Sequence, residues 1–284
     1  MAWLFWWVAT RRGHDVRLRA FLVLSYTGLL MHAFLDVLLS YGMRPWLPFD
    51  GTWYYADVIF VADPWVWVMF GVGAILGGAR RGAGFWAWCV FAVATVVAVA
   101  LAHFGGRAPV HAGWILAGLW TIVLGLRASG ALEGQRSRCA RISLAFVALY
   151  LVFMLFMGRA NHARGVEELS KRFDLDGKIE RTSSVPRLCI PWANRIIVQT
   201  ADELFRTDVN ALSGAFENGV RLRRNLSAPR LERLRGTRVF ETWQGFARHS
   251  FAGRLDEEGA WILGSARYSW GVRESWCNLR VDDR

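Results

Sequence analysis

Five apolar runs, each near the length a helix needs to cross a hydrocarbon layer, alternate along the first 158 residues with links that are in turn rich and poor in arginine. A helix rises 1.5 Å per residue, so about 20 apolar residues span the roughly 30 Å core of a bilayer. The runs are 20–42, 59–78, 85–104, 111–126, which is somewhat short, and 142–158. Before the first come Arg11, Arg12, Arg17 and Arg19; after it, only Arg44. Arg80 and Arg81 follow the second run, Arg107 alone the third, and Arg127, Arg136, Arg138 and Arg141 the fourth. Arginine-rich links stay in the cytoplasm, which places the link holding Asp57, and everything after Gly158, on the outside. With 54% hydrophobic residues and 16 Trp, the chain is too apolar for an ordinary soluble domain. Its net charge of +11 is therefore read as membrane topology and headgroup contact, and no nucleic-acid partner is expected.

The expected fold class is an α-helical multipass membrane domain over residues 1–158, a juxtamembrane linker or helix over 159–186, and a small C-terminal antiparallel β domain over 187–284. Composition changes at Gly158: 12 of the 34 Lys and Arg precede it and 22 follow, with 17 of the 23 Asp and Glu. Val166, Leu169 and Phe173 recur at helical spacing. The segments 195–201, 203–209, 239–247, 260–270 and 276–281 are β-branched or aromatic and separated by Gly, Asn, Asp or Pro, so each is read as a strand. Met1–Val8 reaches only about 12 Å as a helix and reads as the tail of one, with neither a basic leader nor a cleavage site of signal-peptide type. The four cysteines show no zinc spacing; in an oxidising compartment Cys189 and Cys277 are candidates to pair.

Chemistry concentrates in residues 31–67. Before Arg159 the acids are Asp15, Asp36, Asp50, Asp57, Asp63 and Glu133, and four of the six fall in this stretch. His32 and Asp36, at i and i+4, share a helix face within an apolar run, where ionisable groups are costly and become functional candidates. If the first span ends near Gly42 and the next begins near Val58, Asp36 and Asp63 each lie about 9 Å inside, with His32 a turn deeper than Asp36. Imidazole nitrogen and carboxylate oxygens suit a divalent ion such as zinc, with His32, Asp36 and Asp63 as ligands and Asp57 as ligand or general base. Each residue also has a structural reading. Asp63 before Pro64 forms an N-cap and N1 pair, Asp57 is a loop acid or cap, and His32 with Asp36 is a buried structural pair. The Trp residues at 65, 67, 86 and 88 read as interfacial belts, and the Gly-rich turn 75–84 lacks a phosphate-loop lysine.

HAFLD, YG, PF, WYYAD and FVADPW, in this order and at this spacing, resemble the inner-membrane metal-dependent hydrolase family of the YdjM and YbcI type, some of them described as LexA-regulated. ANRIIVQT and, much later, ILGSARYS resemble that family's C-terminal pattern. The resemblance implies that His32 and Asp36 match the family's helical His and Asp, and Asp57 and Asp63 the acids around the next span. It further implies a bacterial inner-membrane protein with a periplasmic C-terminal domain. The family's upstream Pro-Asp segment and Gly-x-Thr-His-Ser motif do not occur, and His14 in RRGHDVR lies on the cytoplasmic side. The expectation is a chain that starts downstream of part of its ligand set. The expected activity is metal-dependent hydrolysis of a lipid-linked or envelope ester or phosphoester at the outer face. A non-catalytic membrane protein whose β domain binds an envelope partner is the alternative, and an ion-coupled carrier a third, against which the few spans and lack of an inverted repeat count.

Overall fold

A computed structural model describes residues 2–76, 82–227, 234, 236–254, 260–270 and 277–281. The chain divides into two compact units, Met1–Asp57 and Val58–Arg284.

The first unit is a helical hairpin followed by a loop. α1 (Ala2–Arg11) precedes α2 (Leu18–Leu38), which is long and apolar enough to cross a membrane and buries none of its residues. The expected end at Gly42 is corrected: α2 stops at Leu38, because Gly42 turns the chain at φ +70° and Met43 pairs with Tyr54 in an isolated antiparallel bridge. Tyr55 packs so closely on Gly42 that a Cβ there would lie 2.4 Å from its ring. Only glycine fits.

In the second unit, α3 (Pro64–Leu76), α4 (Ala83–Phe104), α5 (Val110–Ser129) and α6 (Arg136–Phe173) form the bundle. Among the described residues, α2, α4, α5 and α6 make four helices of spanning length and hydropathy; α3 is apolar but shorter. The end of its run, with Arg80 and Arg81, lies outside the described residues. Trp120 of α5 holds three helices together. Its Nε1 donates to Thr95 Oγ1 of α4 at 2.9 Å, and its ring lies over Gly71 of α3, where a Cβ would meet it at 2.7 Å. Arg127, buried at the end of α5, donates to the Ile75 carbonyl in the last turn of α3, where a helix leaves carbonyls unsatisfied.

Hydropathy falls at Gly158, yet α6 continues unbroken to Phe173, and its polar half becomes the floor of the C-terminal domain. On it lies an antiparallel sheet, β1 (Arg181–Arg187), β2 (Ile190–Gln199), β3 (Glu203–Asn210) and β4 (Phe216–Arg223), in that order. Ile196, Ile197 and Val198 are all fully buried, which explains an unbroken apolar run instead of alternation. Ile196 and Val198 face α6, against Gly165 and Leu169, while Ile197 faces a second sheet. That sheet is β5 (Ser250–Arg254), β6 (Trp261–Ser265) and β7 (Leu279–Val281), and its Phe251 fills the space between the layers.

Its far side is covered by α7 (Arg238–Phe246), and here the expectation of a strand over 239–247 is corrected. Thr237 Oγ1 accepts from the Phe240 amide, starting a helix whose Phe240 and Trp243, three apart, pack with Ala252 and Leu263. Aromatic content signals a strand, but the period is helical. The other four expected strands correspond to β2, β3, β6 and β7, with Trp276 outside the described residues.

Candidate functional site

His32 and Asp36 stand one turn apart near the C-terminal end of α2. Because the helix stops at Leu38, Asp36 is two residues from that end, about 3 Å along the axis and not 9 Å. His32 Nε2 and Asp36 Oδ2 lie 3.5 Å apart, and their side chains are 77% and 37% exposed. Neither side chain is enclosed by protein.

Asp57 is brought to the same end of α2 by the backbone. Tyr54 bridges Met43, and the Ala56 amide donates to the Val37 carbonyl at 2.8 Å, so the returning strand lies against the turn that carries Asp36. Asp57 then takes a left-handed conformation, φ +53°, uncommon for a residue with a side chain. Its place beside α2 needs a contact that sequence spacing does not reveal.

Asp63 occupies a different setting. It caps α3: Oδ1 accepts from the amides of Trp65 at 2.9 Å and Val66 at 3.3 Å, with Pro64 at the first helical position. Oδ2 accepts from Tyr150 Oη of α6 at 2.8 Å. The turn between β1 and β2 carries Leu188 and Cys189 onto the core of the bundle. Cys189 does not pair with Cys277, which sits by α7, where its carbonyl accepts from Trp243 Nε1 at 3.1 Å. Tyr150 was not singled out by the sequence, since nothing distinguishes it from the other aromatic residues of its span.

Two donor atoms of one metal in tetrahedral geometry, each about 2.0–2.1 Å from the ion, are separated by about 3.3 Å. The 3.5 Å between His32 Nε2 and Asp36 Oδ2 fits that spacing. Imidazole nitrogen with carboxylate oxygen is also a donor set that zinc accepts. Among the described residues no three His, Cys, Asp or Glu side chains gather at such a distance.

A second feature belongs to the C-terminal domain. A cavity of about 980 Å³ opens beside the end of α6, lined by Phe173, Lys178, Asp202, Arg221, Arg223 and Trp261 among others. Glu203 on its wall pairs with Arg221 at 2.5 Å, and Arg224 donates to the carbonyls of Thr200 and Ala201 at 3.0 and 2.9 Å.

No curated protein and no solved structure matches the chain. A family model described as "YdjM inner membrane protein" matches residues 1–107, which include His32, Asp36, Asp57 and Asp63. The match does not extend over the C-terminal domain, where the ANRIIVQT and ILGSARYS likeness lies. This chain is a membrane protein, and its stretch from Met1 to Arg107 is similar to the YdjM inner-membrane protein family.

Proposed function

We propose that this protein is a membrane-bound, metal-dependent hydrolase of an ester or phosphoester, with His32 and Asp36 as ligands to a divalent ion and Asp57 as third ligand or general base. The observation that carries the reading is the His32 to Asp36 donor spacing, at the end of α2 to which the Ala56 to Val37 hydrogen bond also brings Asp57. Asp63 is left to capping α3 and holding Tyr150. The chemistry such an ion supplies is activation of water for attack. The imidazole and carboxylate are both exposed, so protein does not block a substrate from approaching them. The arginine-rich links support a topology with this end of α2, and the β domain, on the periplasmic side of the inner membrane. Elemental analysis of the purified full chain tests the reading. Wild type is expected to carry a divalent metal that both His32→Ala and Asp36→Ala lose; equal metal content in all three overturns it.

The cavity in the C-terminal domain favours a second reading, a β domain that binds an envelope partner without catalysis. Cross-linking in intact cells distinguishes them: capture of a partner, abolished by Arg223→Glu, together with metal-free wild-type protein, supports the second over the first.

A further inference from the structure

The loop between α2 and Asp57 is ordered in a way that holds apolar side chains outward. Its foot is fixed by the Met43 and Tyr54 bridge, whose two backbone hydrogen bonds measure 3.0 and 2.9 Å. Its tip is a tight turn in which the Trp46 carbonyl accepts from the amides of Phe49 at 2.8 Å and Asp50 at 2.9 Å. Asp50 Oδ1 then accepts from both the amide and the hydroxyl of Thr52, at 2.9 and 2.7 Å, closing the turn. What this framework presents is Trp46, Leu47 and Phe49, exposed by 58%, 53% and 95%. None folds back to cover another, so in water this loop would leave a contiguous apolar tip that soluble surfaces avoid.

Two observations say what covers it. The tip follows directly from α2, a spanning helix with no buried residue, whose Leu24, Leu29 and Leu30 are as exposed as the tip. A short half-buried link, 39–44, therefore joins the apolar tip to a helix of spanning length whose own surface is apolar. Arg44 stacks 4.9 Å above the Trp53 ring at the loop's foot, an aromatic and cation pair of the kind found at headgroup level. The three side chains together expose on the order of 400 Å², half of the roughly 800 Å² per partner that a stable protein interface buries. A bilayer needs no such area.

We propose that Trp46, Leu47 and Phe49 form a wedge that inserts into the lipid leaflet on the side where α2 ends, fixing that end of the helix at the headgroup boundary. The wedge stands apart from the hydrolase reading, because it uses none of His32, Asp36 and Asp57. It is tested by photo-cross-linking of the full chain in phosphatidylglycerol and phosphatidylethanolamine nanodiscs, with p-benzoylphenylalanine placed in turn at Phe49, at Leu29 in the middle of α2, and at Leu212. Leu212 is 72% exposed on the turn after β3 and serves as an apolar position of the C-terminal domain. Irradiation is expected to add the mass of a phospholipid at positions 49 and 29 and not at 212. Adducts at 29 with a protein cross-link, or with no adduct, at 49 overturn the wedge. Metal-free protein, which overturns the hydrolase reading, leaves the wedge standing, so the two fail separately.

Discussion

Tyr150 donates a hydrogen bond to Asp63 at 2.8 Å, joining the middle of α6 to the residue that caps α3, 87 positions earlier in the chain. Both partners are largely enclosed, so removing one leaves the other unsatisfied. Tyr150→Phe is expected to destabilise the bundle by about 1–3 kcal/mol. Asp63→Ala is expected to cost more, because it also removes a cap worth about 1 kcal/mol. Asp63→Asn keeps one acceptor oxygen for the capped amides and sets an NH2 opposite Tyr150, where it donates to the phenol oxygen, and is expected to be the mildest. Thermal unfolding in detergent orders the three. An Asn variant as damaged as the Ala variant would mean that the negative charge itself is needed, as for a metal ligand.

His249 gives the C-terminal domain an acid limit. It is almost fully buried, with Nε2 2.7 Å from Ser183 Oγ. Burial, and then the positive charges of Arg267, Arg248, Arg181 and Arg224, lower its pKa from the ordinary 6.5 to about 3. Between those values the unfolded chain binds a proton that the folded chain refuses. The stabilisation is complete above pH 6.5 and is lost as pH falls towards 3. Circular dichroism across that range is expected to show cooperative loss of strand signal. His249→Asn, which tolerates the residue's φ of +55°, is expected to flatten the dependence while lowering stability at neutral pH.

The helices and the buried strand were legible because their signals are local. An apolar run of spanning length announces itself, and Ile196 to Val198 can be read as a strand enclosed on both faces. β1 was hidden because RTSSVPR has polar residues and a proline, its pairing with β2 being what makes it a strand. β4 was hidden because Asn218 and Gly219 imitate a turn in mid-strand. Within the site, the i, i+4 spacing of His32 and Asp36 follows from helix geometry alone. Asp63 as a cap follows from the proline after it. Tyr150 and the approach of Ala56 to Val37 depend on tertiary contacts, which no periodicity encodes. The end of α2 was misplaced by four residues because the apolar run continues to Gly42 while helical hydrogen bonding ends with the Leu39 amide.

Gly165 marks where the sheet lies closest to α6. A Cβ there would stand 2.4 Å from Ile196 Cγ1 and 2.9 Å from Val209 Cγ2, so even alanine requires the sheet to move. Gly165→Ala is expected to destabilise the domain by about 1–3 kcal/mol, the usual cost of overpacking. Gly158, one helical stretch earlier, has only Asn194 at 3.8 Å, and Gly158→Ala is expected to be neutral or to stabilise by up to about 1 kcal/mol through helix propensity. Limited proteolysis between β1 and β4 reads the difference. Equal behaviour of the two variants would show that the sheet is not seated on α6 at this point.

Cys189 tests whether the β1 to β2 turn stays seated on the bundle. It is buried, in a left-handed conformation at φ +63°, and packs with the apolar side chains of the helical core. Burial, followed by the nearby Asp63 carboxylate, pushes its thiol up to about 12. Thiolate is the reactive form, so the residue is protected both by access and by protonation. Intact-mass analysis after maleimide treatment of the folded protein at pH 8 is expected to leave Cys189 unmodified, and denaturation without reductant to expose it as a titratable thiol. Rapid labelling in the folded state would mean that the turn leaves the bundle. A thiol that appears only after reduction would instead restore a disulfide to this position.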